Sequence, residues 1–211
     1  MIAPDPYDAA GQSDAELLRR MNDGDEEAFA LLYRRHRRNV YRFAAHMSGS
    51  GVAADDVTQE TFLILIRDPA RYDAARGELR SFLLGVARNV VRRHAAKQRS
   101  AGSLGYDPEA TDESLATHAA SEEPDPFARL ARDEDLRRLR CAIRSLPAAY
   151  REILVLCDLE EMSYEQAAQV TGCATGTVRS RLHRARRLLA DKLREPPQRR
   201  ARAHITAGCL T

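Results

Sequence analysis

Apolar residues recur at intervals of three and four along most of the chain, and nowhere do they alternate at the two-residue period of a strand. The pattern predicts an all-α protein. Ser13 and Glu16 form a capping box that opens a short helix to about Met21, and Gly24 ends it. Asp25 caps a longer helix, with Phe29, Leu32, Tyr33, His36, Val40, Phe43, Ala44 and Met47 along one side. His36 is expected to be interfacial or hydrogen-bonded, because no second ligand sits at metal-binding spacing. Gly49 and Gly51 stop this helix. Asp55 opens a third, with Val57, Phe62, Leu65 and Ile66 inward and Asp56, Gln59 and Glu60 mostly outward. Asp68-Pro69 breaks it. After a loop at 71–77, a fourth helix runs to about Lys97, its inner side made by Leu79, Phe82, Leu83, Val86, Ala87, Val90 and Val91.

The period then lapses. Residues 100–126 are rich in Gly, Ser, Ala, Pro and acidic residues and read as a flexible linker. It resumes with Phe127, Leu130, Leu136, Leu139, Ile143 and Leu146. Pro147 starts the next helix, where a missing N–H is tolerated, and Ile153, Leu154, Leu156 and Cys157 continue the core. Asp158–Met162 reads as a turn. The expected layout is two small helical domains, 13–98 and 127–194, joined by a flexible acidic linker at 99–126. A disordered N-terminus at 1–12 and a basic tail at 195–211 flank them.

The segment from Ser163 to Arg187 carries the clearest functional signal. Ser163 with Gln166 is a capping box, Ala167, Ala168 and Val170 give a compact apolar face, and Gly172 suits a left-handed C-terminal cap. Thr175 or its neighbour caps a second helix, buried along Val178, Leu182, Ala185 and Leu189. The opposite side presents Ser180, His183, Arg184 and Arg187, flanked by Arg179 and Arg181. This is a helix-turn-helix with a cationic outer face, a shape and charge suited to the DNA major groove. The pattern alone also fits a solvated surface hairpin.

Charge sharpens the picture. The net charge of +2 hides segregation. Residues 80–99 hold six Lys or Arg and no acidic residue, whereas 107–125 hold seven acidic residues and no Lys or Arg. Arg80, Arg88, Asn89, Arg92, Arg93 and Lys97 make a second basic surface, without acidic partners one helical turn away. That favours an anionic ligand. The four cysteines include no C-x-x-C pair, so a zinc knuckle is not expected. No stretch reaches the ~18 apolar residues of a membrane span, and Met1–Gln12 is not a signal peptide. The simplest location is cytoplasmic. No nucleophile or carboxylate constellation suggests catalysis, and no cofactor or metal is implied.

Three motifs in order resemble the bacterial sigma-70 family, in its extracytoplasmic-function subgroup. Asp55-Asp56-Val57-Thr58-Gln59-Glu60-Thr61-Phe62-Leu63 resembles the family's polymerase-binding helix. Leu79 through Asn89 resembles the helix that opens the −10 element. Leu146-Pro147 to Leu156, Ser163 to Ala168 and Gly176 to Arg186 together resemble the −35 reader. The resemblance covers roughly 13–97 and 127–193. It implies a promoter-specificity factor, not an enzyme, that directs core RNA polymerase to promoter DNA and promotes strand opening. By the same resemblance, Asp55, Asp56, Gln59, Glu60 and Phe62 dock on the clamp of the largest polymerase subunit, and the second domain meets the flap of the second-largest. Arg71, Arg76, Arg80, Arg88, Asn89, Arg92 and Arg93 serve the −10 strand. Thr175, Thr177, Arg179, Ser180, Arg181 and Arg184 serve the −35 duplex. An anti-sigma partner is also implied. Phe82 departs from the family, many of whose members carry tryptophan there. Competing readings are a helix-turn-helix regulator with a sensing or dimerising N-terminal bundle, and a DNA-processing enzyme. The second basic helix and the Asp55–Leu63 motif speak against the regulator.

Overall fold

The computed structural model describes residues 12–100 and 126–194; the predicted N-terminal segment, most of the linker and the basic tail lie outside them. The described residues are helical, with no strand among them. Four helices form the first module: α1 (Asp14–Asn22), α2 (Glu26–Ser48), α3 (Gly51–Arg67) and α4 (Leu79–Ser100). The second module holds α5 (Pro126–Arg144), α6 (Ala148–Leu154), α7 (Tyr164–Thr171) and α8 (Thr175–Arg194).

Local chemistry sets the boundaries. Ser13 Oγ accepts from the Glu16 amide, and Asp25 Oδ1 accepts from the Glu27 and Ala28 amides. Gly49 ends α2 at φ 75°, a conformation that favours glycine. The third helix begins four residues before Asp55, because Ser50 caps it at the Ala53 amide. Asp55 and Asp56 therefore lie beyond the first turn, where dipole compensation fades. Asp68-Pro69 ends α3 as expected.

In the first module α2 is the central rod, and α1, α3 and α4 pack around it. Leu17, Leu32, Phe43, Phe62, Leu65, Leu79 and Leu83 are buried there. Each fully buried side chain of this size contributes roughly 1.5–3 kcal/mol. His36 is buried and bonds Asp14 across α1 and α2 at 2.8 Å, with Arg35 on the other carboxylate oxygen at 2.6 Å. In the second module α6, α7 and α8 bury Ile153, Leu154, Leu156, Val170, Val178 and Leu182, and α5 lies along α8. Two expected core positions are surface instead: Ile66 and Leu136 are 45% and 47% exposed. The side chains of Phe127 and Leu130 lie outside the described residues.

The two modules pack together. Helix α4 rests on α7, and α2 meets α5, α6 and the turn after α6, so the buried apolar cluster runs through both. That turn is not the simple reversal expected at Asp158–Met162. After α6 the chain widens into a π-helical turn over Val155–Leu159, and Glu161 then takes φ 53°. A non-glycine residue there costs about 1–2 kcal/mol. The widened turn and reversal place Glu160 against the first module with no solvent exposure.

Candidate polymerase and nucleic-acid interfaces

Three surfaces collect the residues singled out by the sequence. On α3, Asp55, Asp56 and Gln59 are exposed. Val52, Leu63 and Ile66 flank them at helical spacing, at 75%, 46% and 45% exposure. Together they make one uncovered stripe of acid and apolar side chains, suited to a protein partner. Val52 and Ile66 are the residues that sequence reasoning missed; their spacing relative to Asp55 and Gln59 was the available signal. Glu60 stands at the margin, bonded to Arg93 and His94 of α4. Burial pushes its carboxyl up, but those two partners outweigh it and hold it below the usual range. Phe62 does not belong to the stripe. It is 2% exposed and packs edge-on against Tyr33 and Phe29, with ring centroids at 4.8 and 6.4 Å. Any effect it has on docking is through the shape of α3.

The second surface is the loop at 71–77 with α4. Tyr72 donates its hydroxyl to the Gly77 carbonyl at 3.1 Å and packs on Phe82, while Asp73 accepts from the Ala75 amide. The loop is thus two short turns tied at both ends, with Arg71 and Arg76 exposed. Gly77 has φ 144°, and a Cβ there would stand 3.1 Å from Gln169 Oε1 of α7. Asn89 and Arg92 are exposed. Arg80 and Arg88 are not free, contrary to the expectation of a basic face without acidic partners. Arg80 bonds the Glu160 carboxylate at 2.9 Å and its carbonyl at 2.6 Å. Arg88 bonds Glu152 of α6 at 2.5 Å. These partners are 80 and 64 residues away, beyond the reach of helical spacing.

The third surface is α7–α8. The capping box is complete, with Ser163 Oγ accepting from the Gln166 amide and Gln166 Oε1 from the Ser163 amide. Gly172 ends α7 at φ 69°. The helix α8 starts at Thr175, after the Ala174 carbonyl has accepted from the Thr177 and Val178 amides. Thr175, Arg179, Ser180 and Arg184 are exposed, and Thr177 and Arg181 partly so. Arg179 lies over the Tyr164 ring at 5.9 Å, a cation–π contact that pre-sets its direction. No acidic side chain among the described residues pairs with Arg181 or Arg184, whereas Arg186 is held by Asp158 at 2.6 Å on the flank. No cysteine, histidine or carboxylate group among the described residues could hold a metal, and no described helix is long and apolar enough to cross a membrane.

This arrangement matches two family profiles at the same places. Sigma-70 region 2 covers residues 32–101, and sigma-70 region 4 covers residues 136–189. The chain is 39% identical over 169 residues to the ECF RNA polymerase sigma factor SigC of Mycobacterium tuberculosis, covering 80% of this chain and 85% of that one. The chain belongs to the extracytoplasmic-function sigma-70 factors. It is also 34% identical over 180 residues to the ECF RNA polymerase sigma factor SigE of Mycolicibacterium smegmatis, covering 81% of this chain and 64% of that protein. The sigma factor's fold resembles that of CnrH in complex with the cytosolic domain of CnrY, with a TM-score of 0.62 and 25% identity, over 86% of this chain and 97% of that one. Promoter-specific transcription initiation is therefore its role, with RNA polymerase and promoter DNA as its partners.

Proposed function

We propose a residue-level division of that role. The α3 stripe, with Asp55, Asp56 and Gln59 among Val52, Leu63 and Ile66, docks on the clamp of the polymerase's largest subunit. Glu60 steadies α4 from the stripe's edge. The loop at 71–77 and the exposed side of α4 take the −10 strand. Arg71, Arg76, Arg80, Arg88, Arg92 and Arg93 meet its phosphates, and Asn89 hydrogen-bonds along it. Extruding a base costs a few kcal/mol, which cations and a tied loop must offset. The first turns of α8 enter the −35 major groove with Thr175, Thr177, Arg179, Ser180, Arg181 and Arg184, and the second module meets the flap of the second-largest subunit. The sigma factor acts by positioning and opening DNA and not by bond-making chemistry of its own.

The observation that carries this reading is the segregation of surfaces: an acid and apolar stripe on α3, and a basic face on α8 whose Arg181 and Arg184 no described acid pairs with. Run-off transcription with core polymerase on genomic fragments tests it. Wild-type chain is expected to start transcripts at discrete sites, and Asp56→Arg to lose holoenzyme assembly while keeping its helical signal. Normal assembly by Asp56→Arg would remove the clamp role from the stripe. An anti-sigma factor is proposed as a further partner, in keeping with the protein-bound state of CnrH, which was solved in complex with the cytosolic domain of CnrY.

A further inference from the structure

The arginines of α8 are not equivalent. Arg179, Arg184 and Arg187 are exposed and Arg181 partly so, yet of these four only Arg179 lies over an aromatic ring among the described residues. Its guanidinium carbon stands 5.9 Å from the ring centroid of Tyr164, the first residue of α7. Cation and ring therefore come from the two different helices of the helix-turn-helix. Three features fix the ring. The capping box of Ser163 and Gln166 sets the backbone around Tyr164. The ring is half-buried and packs against the apolar core. Tyr164 also lies within electrostatic reach of Arg186, and Asp158 holds that guanidinium with two bonds, at 3.0 and 2.6 Å. Arg179 and Arg186 are about two turns apart on α8, so Tyr164 is bracketed by one arginine that is held and one that it directs. Glu165 beside it feels the Arg179 charge, but its carboxyl is kept below the usual range first by its own amide and by Ser163.

We infer that Tyr164 is a positioning residue for promoter selection: its ring aims Arg179, and that aim makes Arg179 a sequence-selective contact and not a phosphate grip. The inference rests on the assignment of α8 to the −35 duplex. A base edge offers its acceptors in one plane, so a guanidinium must present its fork in one orientation to bond two of them. A phosphate can be met from many rotamers and carries no sequence information. An arginine loose in solvent loses that rotamer freedom on binding, whereas one already lying on a ring loses less. The nature of the support matters as well. A ring face attracts a cation without accepting its N–H bonds, so the donors of Arg179 stay available. A carboxylate in the same place would consume them, as Asp158 does at Arg186. Arg179 is thus both directed and available.

The test uses holoenzyme assembled from core polymerase and the full chain. A promoter located by run-off transcription has one helical turn of duplex around −35 randomised, and the bound fraction is sequenced. Wild-type chain is expected to enrich a defined sequence, and Arg179→Ala to lose the preference at particular positions within it. Tyr164→Leu, which removes the ring face, should weaken the preference at those same positions and spare the others, while Tyr164→Phe, which keeps the face, should retain it. On a duplex of the enriched sequence Tyr164→Leu should lower affinity about two- to five-fold, the scale of an exposed cation–π contact. Once Arg179 is alanine, the same change should cost nothing further. A loss spread evenly over all sequences, or one that persists in the Arg179→Ala background, would show a merely structural role and overturn the inference. So would an Arg179→Ala chain that enriches the wild-type sequence. Relaxation of the arginine Nε groups in the wild-type full chain tests the aim without any variant: Arg179 should be more ordered than Arg181 and Arg184, and equal mobility overturns it. Failure of wild-type holoenzyme to enrich any −35 sequence sinks instead the assignment of α8 beneath the inference.

Discussion

The chain carries two basic helices of similar composition, and the fold treats them differently. On α8, Arg179, Ser180 and Arg184 face solvent and Arg181 partly so, and Asp158 holds Arg186 at the flank. On α4, Arg80 and Arg88 are tied to carboxylates of the other module, while Arg93 is tied to Glu60. Equal charge therefore does not mean equal availability. On the proposed assignment, a duplex meets the open face of α8, whereas a melted strand must compete for arginines of α4 that carboxylates already hold. A chain that exposed both would hold single strands indiscriminately, because phosphate contacts carry no sequence information.

The largest expected effect comes from removing the buried carboxylate. At the seam between the two modules, Glu160→Ala removes the carboxylate that Arg42 and Arg80 share and leaves them only the Leu159 and Glu160 carbonyls; breaking a buried pair costs about 3–5 kcal/mol. If the seam separates from the modules, the loss should be seen as faster amide exchange at α4 and α7 with each module's core still protected. Loss of all protection together would mean that the seam is part of one indivisible core, and the contrast between the two faces would lose its meaning.

Acid should act on the same seam. Burial, and then Arg140, Arg42, Arg144 and Arg151 around it, lower the pKa of His46 from 6.5 to about 4. The folded chain thus binds the proton less well than the unfolded one. Stability is complete above pH 6.5 and falls as pH drops toward 4, by roughly 2–3 kcal/mol at 1.36 kcal/mol per unit. Urea melts at pH 7 and pH 5 should show the decline, and His46→Asn should flatten it. An unchanged slope in that variant would assign the acid sensitivity elsewhere.

The faces themselves can be compared one arginine at a time. Arg179→Ala and Arg181→Ala should each weaken −35 duplex binding by ~1–3 kcal/mol if they read bases, and uniformly across sequences if they touch phosphate alone. Arg80→Ala in the free chain should leave duplex binding unchanged, because its guanidinium is already engaged. A loss there equal to the losses on α8 would erase the distinction. The smallest effect is expected at the turn. Glu161→Gly relieves the positive φ but adds backbone entropy to the unfolded state, for a net gain of about 0.5–1 kcal/mol in stability. Destabilisation would show that Glu161 is needed for more than its shape.

Much of this was legible in the sequence because it is local. The caps at Ser13, Asp25 and Ser163, the αL end at Gly172 and the buried stripe Val178–Leu182–Ala185 follow from spacing alone. The helix-turn-helix face emerged from the same arithmetic. What could not be read was non-local. Arg80 and Arg88 read as unpartnered because their carboxylates lie in another module, brought near only when α4 packs on α7. The π-helical turn had no glycine or proline to announce it, and Glu161 occupies a conformation that its residue type disfavours. The start of α3 was missed because Ser50 caps it ahead of the more conspicuous Asp55. Ile66 was assigned inward by its hydrophobicity, although its place on the helix aligns it with Gln59 and Leu63, on the face left for a partner.

One distance tests the difference between the faces most directly. Spin labels placed at Gln98 on α4 and Lys192 on α8, both exposed and away from the seam's ion pairs, report the separation of the modules. The account expects a single short separation in the free chain and a longer one once the chain is bound to core polymerase and promoter DNA. The same separation in both states would contradict it.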